Sequence, residues 1–295
     1  MTRAGIVTVA GRPNAGKSTL LNRVVGTKLS IVSDKPQSTR HRVVGIRTEN
    51  DVQMVLLDTP GLLNPRYALQ QAMRATAVKA LEEADAVLYL VDATAPPDEL
   101  TPLHEAAGLP HPPQAPVVLA LNKSDLLAPG ARDTIRERAP RGHVISAVTG
   151  EGIDALFATL GRMLPESPFL YPEDEISTQT IRFFVAELIR ETALEQLEEE
   201  VPYSIACEVE EYRETQTPIY IRAVVYVERD SQKRIFIGAG GQRIRAVGSA
   251  ARAKIEAFVG AKVFLDLWVK VLPNWRRNAH ALQRLGFRVP QDRAT

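Results

Sequence analysis

Residues 11–19 read GRPNAGKST, in which two glycines flank a short loop that ends in a lysine and two hydroxyl residues. The spacing Gly11-x4-Gly16-Lys17-Ser18 is the pattern of a phosphate-binding loop between a strand and a helix. Glycine permits the backbone angles that turn successive N–H groups inward, and the positive end of the following helix faces the same anion. A glycine-rich turn without a ligand is the alternative reading, but the apolar stretch before the loop and the helical stretch after it favour a nucleotide phosphate site.

The side chains of this loop have separate expected roles. Lys17 is expected to contact the β- and γ-phosphates and to assist hydrolysis, and Ser18 is expected to bind Mg²⁺. The residues expected to cradle the phosphates are Gly11, Asn14, Ala15, Gly16, Lys17, Ser18 and Thr19.

The motif NKSD at 122–125 follows an apolar stretch and indicates which base is bound. Asp125 would accept hydrogen bonds from both guanine donors, whereas adenine would leave this carboxylate unmatched, at a cost of about 1–3 kcal/mol or more. Asn122 is expected to contact the base edge and to join the base loop to the phosphate loop, while the stem of Lys123 covers the base plane. The loop ISA at 145–147 follows the next apolar stretch. The backbone N–H of Ala147 is expected to donate to the guanine carbonyl, with Ser146 beside it. Alone, NKSD is a common surface loop; downstream of a phosphate loop it indicates guanine.

DTPG at 58–61 predicts the metal and switch region. Asp58 is expected to hold Mg²⁺, mostly through water, and the Gly61 N–H to contact the γ-phosphate. In the polar stretch SDKPQSTRHRVVG, Thr39 is expected to complete the metal shell, with Ser38 as the alternative. Segments held only by the γ-phosphate and its metal form an order–disorder switch. Lys17, Thr39 and Gly61 are therefore the catalytic candidates.

Leucine occupies position 62, where Ras-type enzymes have a glutamine that orients water. Leu62 has no polar group for that role, so the water must be positioned in another way or turnover must await a partner. Asn14 offers an oxygen beside the phosphates, and we hypothesise that it helps to bind K⁺ there.

The order of apolar stretches predicts two domains. Strands are expected at 5–10, 52–58, 86–92, 116–122 and 143–146, alternating with helices, which describes an α/β domain with a mostly parallel, doubly wound sheet over residues 1–166. Three prolines over 164–180 favour a linker, placed at 167–178. Residues 179–295 are expected to form a smaller α+β domain with a long first helix, two strands, a glycine turn, a helix and a last strand.

Charge is distributed unevenly over this second region. Residues 173–214 hold 13 acidic and 3 basic side chains, and residues 228–295 hold 14 basic and 5 acidic ones. A basic block favours an anionic partner such as nucleic acid, although a surface balanced by the neighbouring acidic stretch is the alternative. Within the block, IFIGAGGQRI predicts a strand, a GxxG loop and a helix, the arrangement with which a KH domain clamps single-stranded RNA. The residues expected to contact RNA are Lys233, Arg234, Gly238, Ala239, Gly240, Gly241, Arg243 and Arg245.

The totals describe an ordinary globular chain of 295 residues, 45% apolar and 24% charged. One cysteine, Cys207, excludes an internal disulfide framework and fits a reducing compartment. No apolar run is long enough to span a bilayer and no secretory signal is evident, so a cytoplasmic protein is expected, at most peripherally attached to a membrane. Trp268 is expected in the core, and Trp275 in the core or on the surface.

Taken together, the chain resembles the Era family of bacterial GTPases along nearly its full length. The resemblance rests on these stretches: GRPNAGKSTLLN, QSTRHRVVGI, DTPGL, NKSD, ISAVTGEGI, YPEDEIS, EEEVPYS, IGAGGQRI and LWVKVLPNWRR. It implies a GTPase domain followed by a KH domain of the prokaryotic topology, GTP or GDP with Mg²⁺ as ligands, and a slow intrinsic GTPase activity. It also implies a monomer that binds 16S ribosomal RNA near its 3′ end, assists assembly of the 30S subunit, and associates peripherally with the inner membrane.

Two positions depart from the family pattern. Ala239 replaces the usual lysine of the GxxG loop, so one phosphate contact is expected to be missing, and Ser38 replaces a threonine, which leaves the metal role to Thr39. Two other functions remain open: an RNA-binding assembly chaperone that uses GTP as a structural ligand with negligible turnover, favoured by Leu62, and a related GTPase acting in tRNA modification or metal transport.

Overall fold

The computed structural model describes residues 1–33, 35, 37–62, 64–94, 101–198 and 200–290. Several positions covered by the sequence predictions lie outside the described residues. They are positions 34 and 36 of the predicted switch stretch, position 199 in the long first helix predicted for the second domain, and positions 291–295 at the end of that domain.

The chain forms two compact units. The first comprises Met1–Ser30, Thr39–Arg66 and Ala72–Thr178, and the second comprises Ile31–Ser38, Tyr67–Gln71 and Gln179–Thr295.

The first unit contains a six-stranded sheet in the order β2-β3-β1-β4-β5-β6. Its strands are β1 Arg3–Ala10, β2 Val43–Glu49, β3 Val52–Asp58, β4 Ala86–Asp92, β5 Val117–Asn122 and β6 His143–Val144. Its helices are α1 Lys17–Val25, α2 Ala68–Glu82 (which starts in the second unit), α3 Leu103–Ala106, α4 Ala131–Arg138 and α5 Ile153–Met163, with a 3-10 turn at Ser124–Leu126. All neighbouring pairs but β2·β3 are parallel, which confirms the predicted mostly parallel α/β sheet.

Strand β2 is not among the strands expected from the sequence, in which residues 43–45 fall in the polar switch stretch and residues 46–49 have no assignment. β2 pairs antiparallel with β3 from Val43 opposite Asp58 to Glu49 opposite Val52. The intervening turn has only two residues, and Asn50 has a positive φ of 51°, as a tight hairpin turn requires. The hairpin signal is weak because the turn reads Asn-Asp rather than Asn-Gly.

Strand order places the ligand-binding edge of this sheet. Strand β1 pairs on one side with β3 and on the other with β4, so the strand order reverses at β1. In open α/β sheets, ligands bind outside the carboxyl ends of the strands at such a reversal. The loops that follow β1, β3 and β5 carry the GRPNAGKST, DTPG and NKSD motifs, and all three lie at this edge.

The segment predicted as a linker, 167–178, is hydrogen-bonded to the first unit. Gln53 Oε1 accepts from the backbone N–H groups of Leu170 at 2.7 Å and Tyr171 at 2.9 Å. Ile46 N donates to Ile176 O at 2.9 Å. We retain residues 1–166, 167–178 and 179–295 as the proposed first domain, linker and second domain.

The second unit has the element order α–α–β–β–α–α–β–α, with a three-stranded sheet in the order β7-β8-β9. Its elements are α6 Ile181–Gln196, α7 Val201–Ser204, β7 Ala206–Arg213, β8 Ile219–Val227, α8 Asp230–Ile237, α9 Gln242–Val259, β9 Val263–Val271 and α10 Ala279–Arg284, with 3-10 turns at Ala239–Gly241 and Trp275–Arg277. β7·β8 is antiparallel and β8·β9 parallel. Helix α9 packs on this sheet through one face, on which Val247, Ala251 and Ile255 are fully buried in the core of this unit.

The element before the GxxG loop differs from the prediction, because α8 replaces the expected apolar strand. Three consecutive apolar residues, Ile235–Ile237, fit a short strand or a helix equally well, so periodicity alone does not decide between them. The helix is favoured by the four-residue spacing of Gln232 and Phe236, both buried on one side, and by Gln232 Oε1, which accepts from Arg229 N at 3.1 Å.

The two tryptophans have opposite environments. Trp268, which the sequence places in the core, is instead 54% exposed, because it lies on the outer face of β9 while Val269 beside it points inward. Trp275 is fully buried, and its Nε1 donates to Ser204 O at 2.8 Å.

In the described part of the chain, no helix combines the length and the apolar character needed to cross a bilayer.

Candidate nucleotide-binding site and RNA-binding loop

The phosphate loop connects β1 to α1 and has no room for a side chain at either of its two glycines. Gly16 has φ 94°, and a Cβ there would lie 2.2 Å from Asn122 Nδ2. A Cβ at Gly11 would lie 2.3 Å from Leu90 O. Glycine is therefore required at both positions by the close approach of neighbouring strands and loops, as well as by the backbone angle at Gly16.

Lys17, the first residue of α1, is almost fully buried beneath this loop. Its Nζ donates to Gly11 O at 3.2 Å and to Arg12 O at 2.9 Å. Burial lowers the pKa of Lys17, and the nearby carboxylate of Asp58 opposes that shift. A buried ammonium group held by backbone carbonyls is placed to meet an incoming anion, as the role assigned to Lys17 requires.

Three oxygen-bearing side chains converge next to the loop, and they suit Mg²⁺. Ser18 Oγ donates to Asp58 Oδ2 at 2.7 Å and lies 2.9 Å from Thr39 Oγ1. Asp58 is fully buried, its Oδ1 has no hydrogen-bond partner among the described residues, and burial raises its pKa. A buried carboxylate oxygen in that position is costly, and a hard divalent cation would satisfy it. The candidate magnesium ligands are therefore Ser18, Thr39 and Asp58, whose side-chain oxygens meet at this point.

Asn122 ties the base loops to the phosphate loop. Its Nδ2 donates to Ala15 O, and its Oδ1 accepts from Ala147 N, both at 2.8 Å. Ser146 Oγ donates to Asp125 Oδ1 at 2.6 Å and so fixes the orientation of the predicted guanine-reading carboxylate. The residues predicted from NKSD and ISA are thus brought to one place, next to the phosphate loop.

Gly61 and Leu62 follow β3 at the same edge. A Cβ on Gly61 would lie 2.8 Å from Pro13 of the phosphate loop, so the DTPG backbone passes directly beside that loop. Leu62 N donates to Gly11 O at 3.3 Å, and the Leu62 side chain is buried in a cluster with Ala77 and Tyr89. Leu62 therefore packs in the core.

Two charged residues that the sequence motifs do not indicate support the base loops. Arg23, in α1, donates from Nε to Ala147 O at 2.7 Å and also contacts Val148 O. Asp92, the last residue of β4, accepts from Lys123 Nζ at 2.6 Å. The sequence signal for Asp92 is its place at the end of the strand predicted at 86–92. Arg23 carries no signal beyond its position in α1.

The GxxG loop lies between α8 and α9 of the second unit. Gly238, Gly240 and Gly241 have positive φ values of 72°, 57° and 76°, so the loop needs glycine at these positions. Arg243 donates to Ile235 O at 3.0 Å, and Arg245 donates from Nε to Gly241 O at 3.1 Å.

The predicted RNA-contacting side chains surround this loop. Arg234, Ala239, Gly240, Arg243 and Arg245 are exposed, and Lys233, Gly238 and Gly241 are partly exposed. Lys254, further along α9, is instead paired with Glu191 at 3.0 Å and Glu195 at 2.7 Å. The exposed positive charge beside the loop therefore lies near the end of α8, at Arg234, and at the start of α9, at Arg243 and Arg245.

Two family models match the chain, one described as a 50S ribosome-binding GTPase over residues 6–123 and one as a KH domain over residues 200–276. GTPase Era of Carboxydothermus hydrogenoformans is 40% identical over 97% of this chain and 98% of the relative. GTPase Era of Pseudomonas entomophila is 42% identical over 97% of both chains.

Two solved structures match equally broadly. An Aquifex aeolicus Era variant bound to GDP·AlF4⁻ has a TM-score of 0.87, and Era in complex with MgGDPNP and nucleotides 1506–1542 of 16S ribosomal RNA has a TM-score of 0.86. Each is 37% identical and covers 97% of this chain and 99% of its own. With a phosphate loop, a guanine-type base loop and a KH-type second unit in this order, the chain belongs to the Era family of GTPases.

Proposed function

We propose that this protein is a GTP-hydrolysing switch that binds 16S ribosomal RNA near its 3′ end and assists assembly of the 30S subunit. The observation that carries the nucleotide part is the side chain of Asn122, which joins the phosphate loop and the guanine loop through two 2.8 Å hydrogen bonds. Those bonds set the distance between the base-reading carboxylate and the phosphate loop, so one ligand is expected to need both guanine and phosphates.

In this proposal Asp125 accepts the two guanine donors, while Ser146 holds its carboxylate in orientation through the 2.6 Å hydrogen bond. Lys17 contributes positive charge toward the β- and γ-phosphates, and the backbone N–H groups of residues 14–19 surround them. Ser18, Thr39 and Asp58 would hold Mg²⁺, which when bound neutralises charge on the phosphates. Gly61 N–H is assigned to the γ-phosphate, where it distinguishes GTP from GDP.

The RNA part of the proposal rests on the GxxG loop of the second unit. The exposed side chains of Arg243 and Arg245 lie beside this loop. The loop's glycines have positive φ and no side chain, so its backbone N–H groups can approach a phosphate chain closely. An Era relative was solved with nucleotides 1506–1542 of 16S ribosomal RNA, and that RNA is the ligand we assign here. We further propose a cytoplasmic monomer, with peripheral association at the inner membrane.

Calorimetry with GTP, GDP and ATP tests the nucleotide assignment. We expect GTP and GDP to bind at least about 100-fold more tightly than ATP, because ATP leaves the Asp125 carboxylate unmatched. Equal affinity for ATP and GTP would overturn it. Single-turnover hydrolysis, measured with and without RNA, separates a switch from a chaperone that uses GTP as a structural ligand.

RNA binding is tested with a fragment of the 3′ end of 16S ribosomal RNA. We expect Arg245→Glu to weaken binding about tenfold or more, because it replaces an attractive charge beside the GxxG loop with a repulsive one. Lys262→Glu is the matched control: it makes the same charge change at a highly exposed side chain beyond the opposite end of α9. Equal effects of the two variants would mean that the GxxG loop is not the binding surface.

A further inference from the structure

Lys123 has a backbone conformation that ordinary side chains avoid. Its φ of 70° and ψ of 36° lie in the left-handed region, where a residue with a Cβ is disfavoured by crowding. Such conformations persist only where surrounding contacts hold them, and they cluster at ligand sites. The contacts that hold Lys123 therefore bear directly on the base loop that it belongs to.

The most direct of these contacts is an ion pair with Asp92. Lys123 Nζ lies 2.6 Å from Asp92 Oδ2, and the two side chains are 28% and 26% exposed. In the sheet, Asp92 lies opposite Asn122 in the parallel β4·β5 pair, and Ala93 N donates to Asn122 O at 2.8 Å. Backbone register thus places the Asp92 carboxylate next to the residue that follows Asn122.

Asp92 is itself fixed by Thr94. Its Oδ1 accepts from Thr94 N at 2.9 Å and from Thr94 Oγ1 at 2.7 Å, which leaves Oδ2 directed at the ammonium of Lys123. Burial opposes ionisation of this carboxyl group, but the hydrogen bonds from Lys123 and Thr94 outweigh burial and keep the pKa of Asp92 below its usual value. The carboxylate is therefore charged and oriented at neutral pH.

The pair also lies beside the phosphate loop. Asp92 lines a cavity of about 280 Å³ together with Arg12, Pro13, Asn14 and Ala15. Lys123 directly follows the last residue of β5, and its ammonium contacts Asp92, which lines this cavity. The ion pair thus stands where the guanine loop meets the phosphate loop.

We propose that Asp92 is a positioning residue for guanine nucleotides: it anchors the Lys123 ammonium, so that the lysine stem is held ready to cover the base. This inference rests on the proposed guanine-binding role of NKSD. Because the stem contacts the base, loss of the anchor lowers affinity for GDP and GTP by the same factor, whereas loss of a γ-phosphate contact affects only GTP.

Asp92→Asn is the decisive variant, because it keeps an acceptor for Thr94 and places an amide donor against the Lys123 ammonium. We expect about a three- to fivefold loss of affinity for both GDP and GTP, the upper part of the range for a partly exposed ion pair. In a Lys123→Met background the same substitution should change affinity by less than about twofold, since its effect acts through the lysine. Asp92→Glu should recover part of the affinity.

Asp85→Asn is the matched control. Asp85 immediately precedes β4, at the opposite end of the same strand, and accepts from Ile6 N at 2.7 Å. It should change the melting temperature without changing GDP affinity. If Asp92→Asn proves unfolded, Thr94→Val, which removes one bond to Oδ1, replaces it in the same cycle.

Three outcomes would overturn the inference: unchanged GDP affinity in Asp92→Asn, an equal loss in the Lys123→Met background, or an equal loss in Asp85→Asn. A different result, in which the wild-type protein binds ATP as tightly as GTP, would instead overturn the proposed guanine site.

Discussion

The side-chain amide of Asn122 donates a hydrogen bond to the carbonyl oxygen of Ala15 at 2.8 Å, across 107 residues of sequence. The same nitrogen occupies the space into which a Cβ on the next residue, Gly16, would project. One side chain thus fixes the phosphate loop and leaves it no tolerance for a larger residue.

Gly16→Ala is expected to abolish this arrangement. Its Cβ would lie 2.2 Å from Asn122 Nδ2, so the asparagine must move and both of its loop contacts are lost. We expect GDP affinity to fall by at least about tenfold, measured by calorimetry.

Gly26→Ala serves as the control for backbone strain alone. Gly26 has φ 76°, but no described atom lies within 4 Å of the place that a methyl group on it would take, so only the left-handed cost of about 1 kcal/mol applies. A similar loss of GDP affinity in both variants would show that crowding against Asn122 is unimportant.

Asp125→Asn is expected to change the preferred base. An amide cannot accept from both guanine donors, but it can donate to the 2-oxo group of xanthine, so GTP affinity should fall about 10- to 100-fold while xanthosine triphosphate gains. Competition binding with both nucleotides measures the change. Retained selectivity for GTP would contradict the assignment of Asp125.

Exchange of Na⁺ for K⁺ is expected to raise the hydrolysis rate about tenfold or more, because a cation beside the phosphates stabilises negative charge in the transition state. Asn14, which lines the cavity at the phosphate loop, is the proposed K⁺ contact. Asn14→Ala should remove the K⁺ dependence without removing GDP binding. A wild-type rate that is the same in the two salts would exclude this mechanism.

Ala239→Lys is expected to strengthen RNA binding, because Ala239 is an exposed, uncharged position of the GxxG loop. One added phosphate contact should steepen the slope of log affinity against log salt concentration by about 0.7–1. A titration at several salt concentrations measures that slope. Ala239→Glu should shift it in the opposite direction; if neither variant alters the slope, the loop does not contact phosphate.

Lys254→Met is expected to lower the free energy of unfolding by about 1–2 kcal/mol, because it removes the ammonium group that faces the buried Glu191 carboxylate. Burial opposes the charge on Lys254, but its bonds to Glu195 and Glu191 outweigh burial and raise its pKa. The contribution is therefore complete below the unfolded lysine pKa of about 10.4 and is lost as pH rises through the higher folded value.

Urea unfolding of both proteins between pH 7 and strongly alkaline pH measures this difference, which should shrink only above about pH 10.4. The control is Lys262→Met, since Lys262 is 83% exposed in its pair with Glu256 and should contribute less than about 0.5 kcal/mol. Equal losses in the two variants would mean that burial of Glu191 is not the cause.

The phosphate loop, the base loop and most strands could be predicted from the sequence, because each depends on local spacing and on apolar periodicity. The Asp92–Lys123 pair could not, because it depends on the register of β4 against β5, and strand β2 could not, because its turn signal is weak. The prediction of a strand at α8 is wrong because three apolar residues fit both periods. Features that depend on pairing between distant segments of the chain therefore cannot be predicted from local sequence patterns.

Both tryptophans of the chain, Trp268 and Trp275, belong to the second unit, one exposed on the outer face of β9 and one fully buried against Ser204. Intrinsic indole fluorescence of this protein consequently reports on the second unit alone. A quencher such as iodide would reach the exposed ring and spare the enclosed one, so the two emissions are separable without any label. The first unit contains tyrosine but no tryptophan, so it contributes only tyrosine emission to such a spectrum.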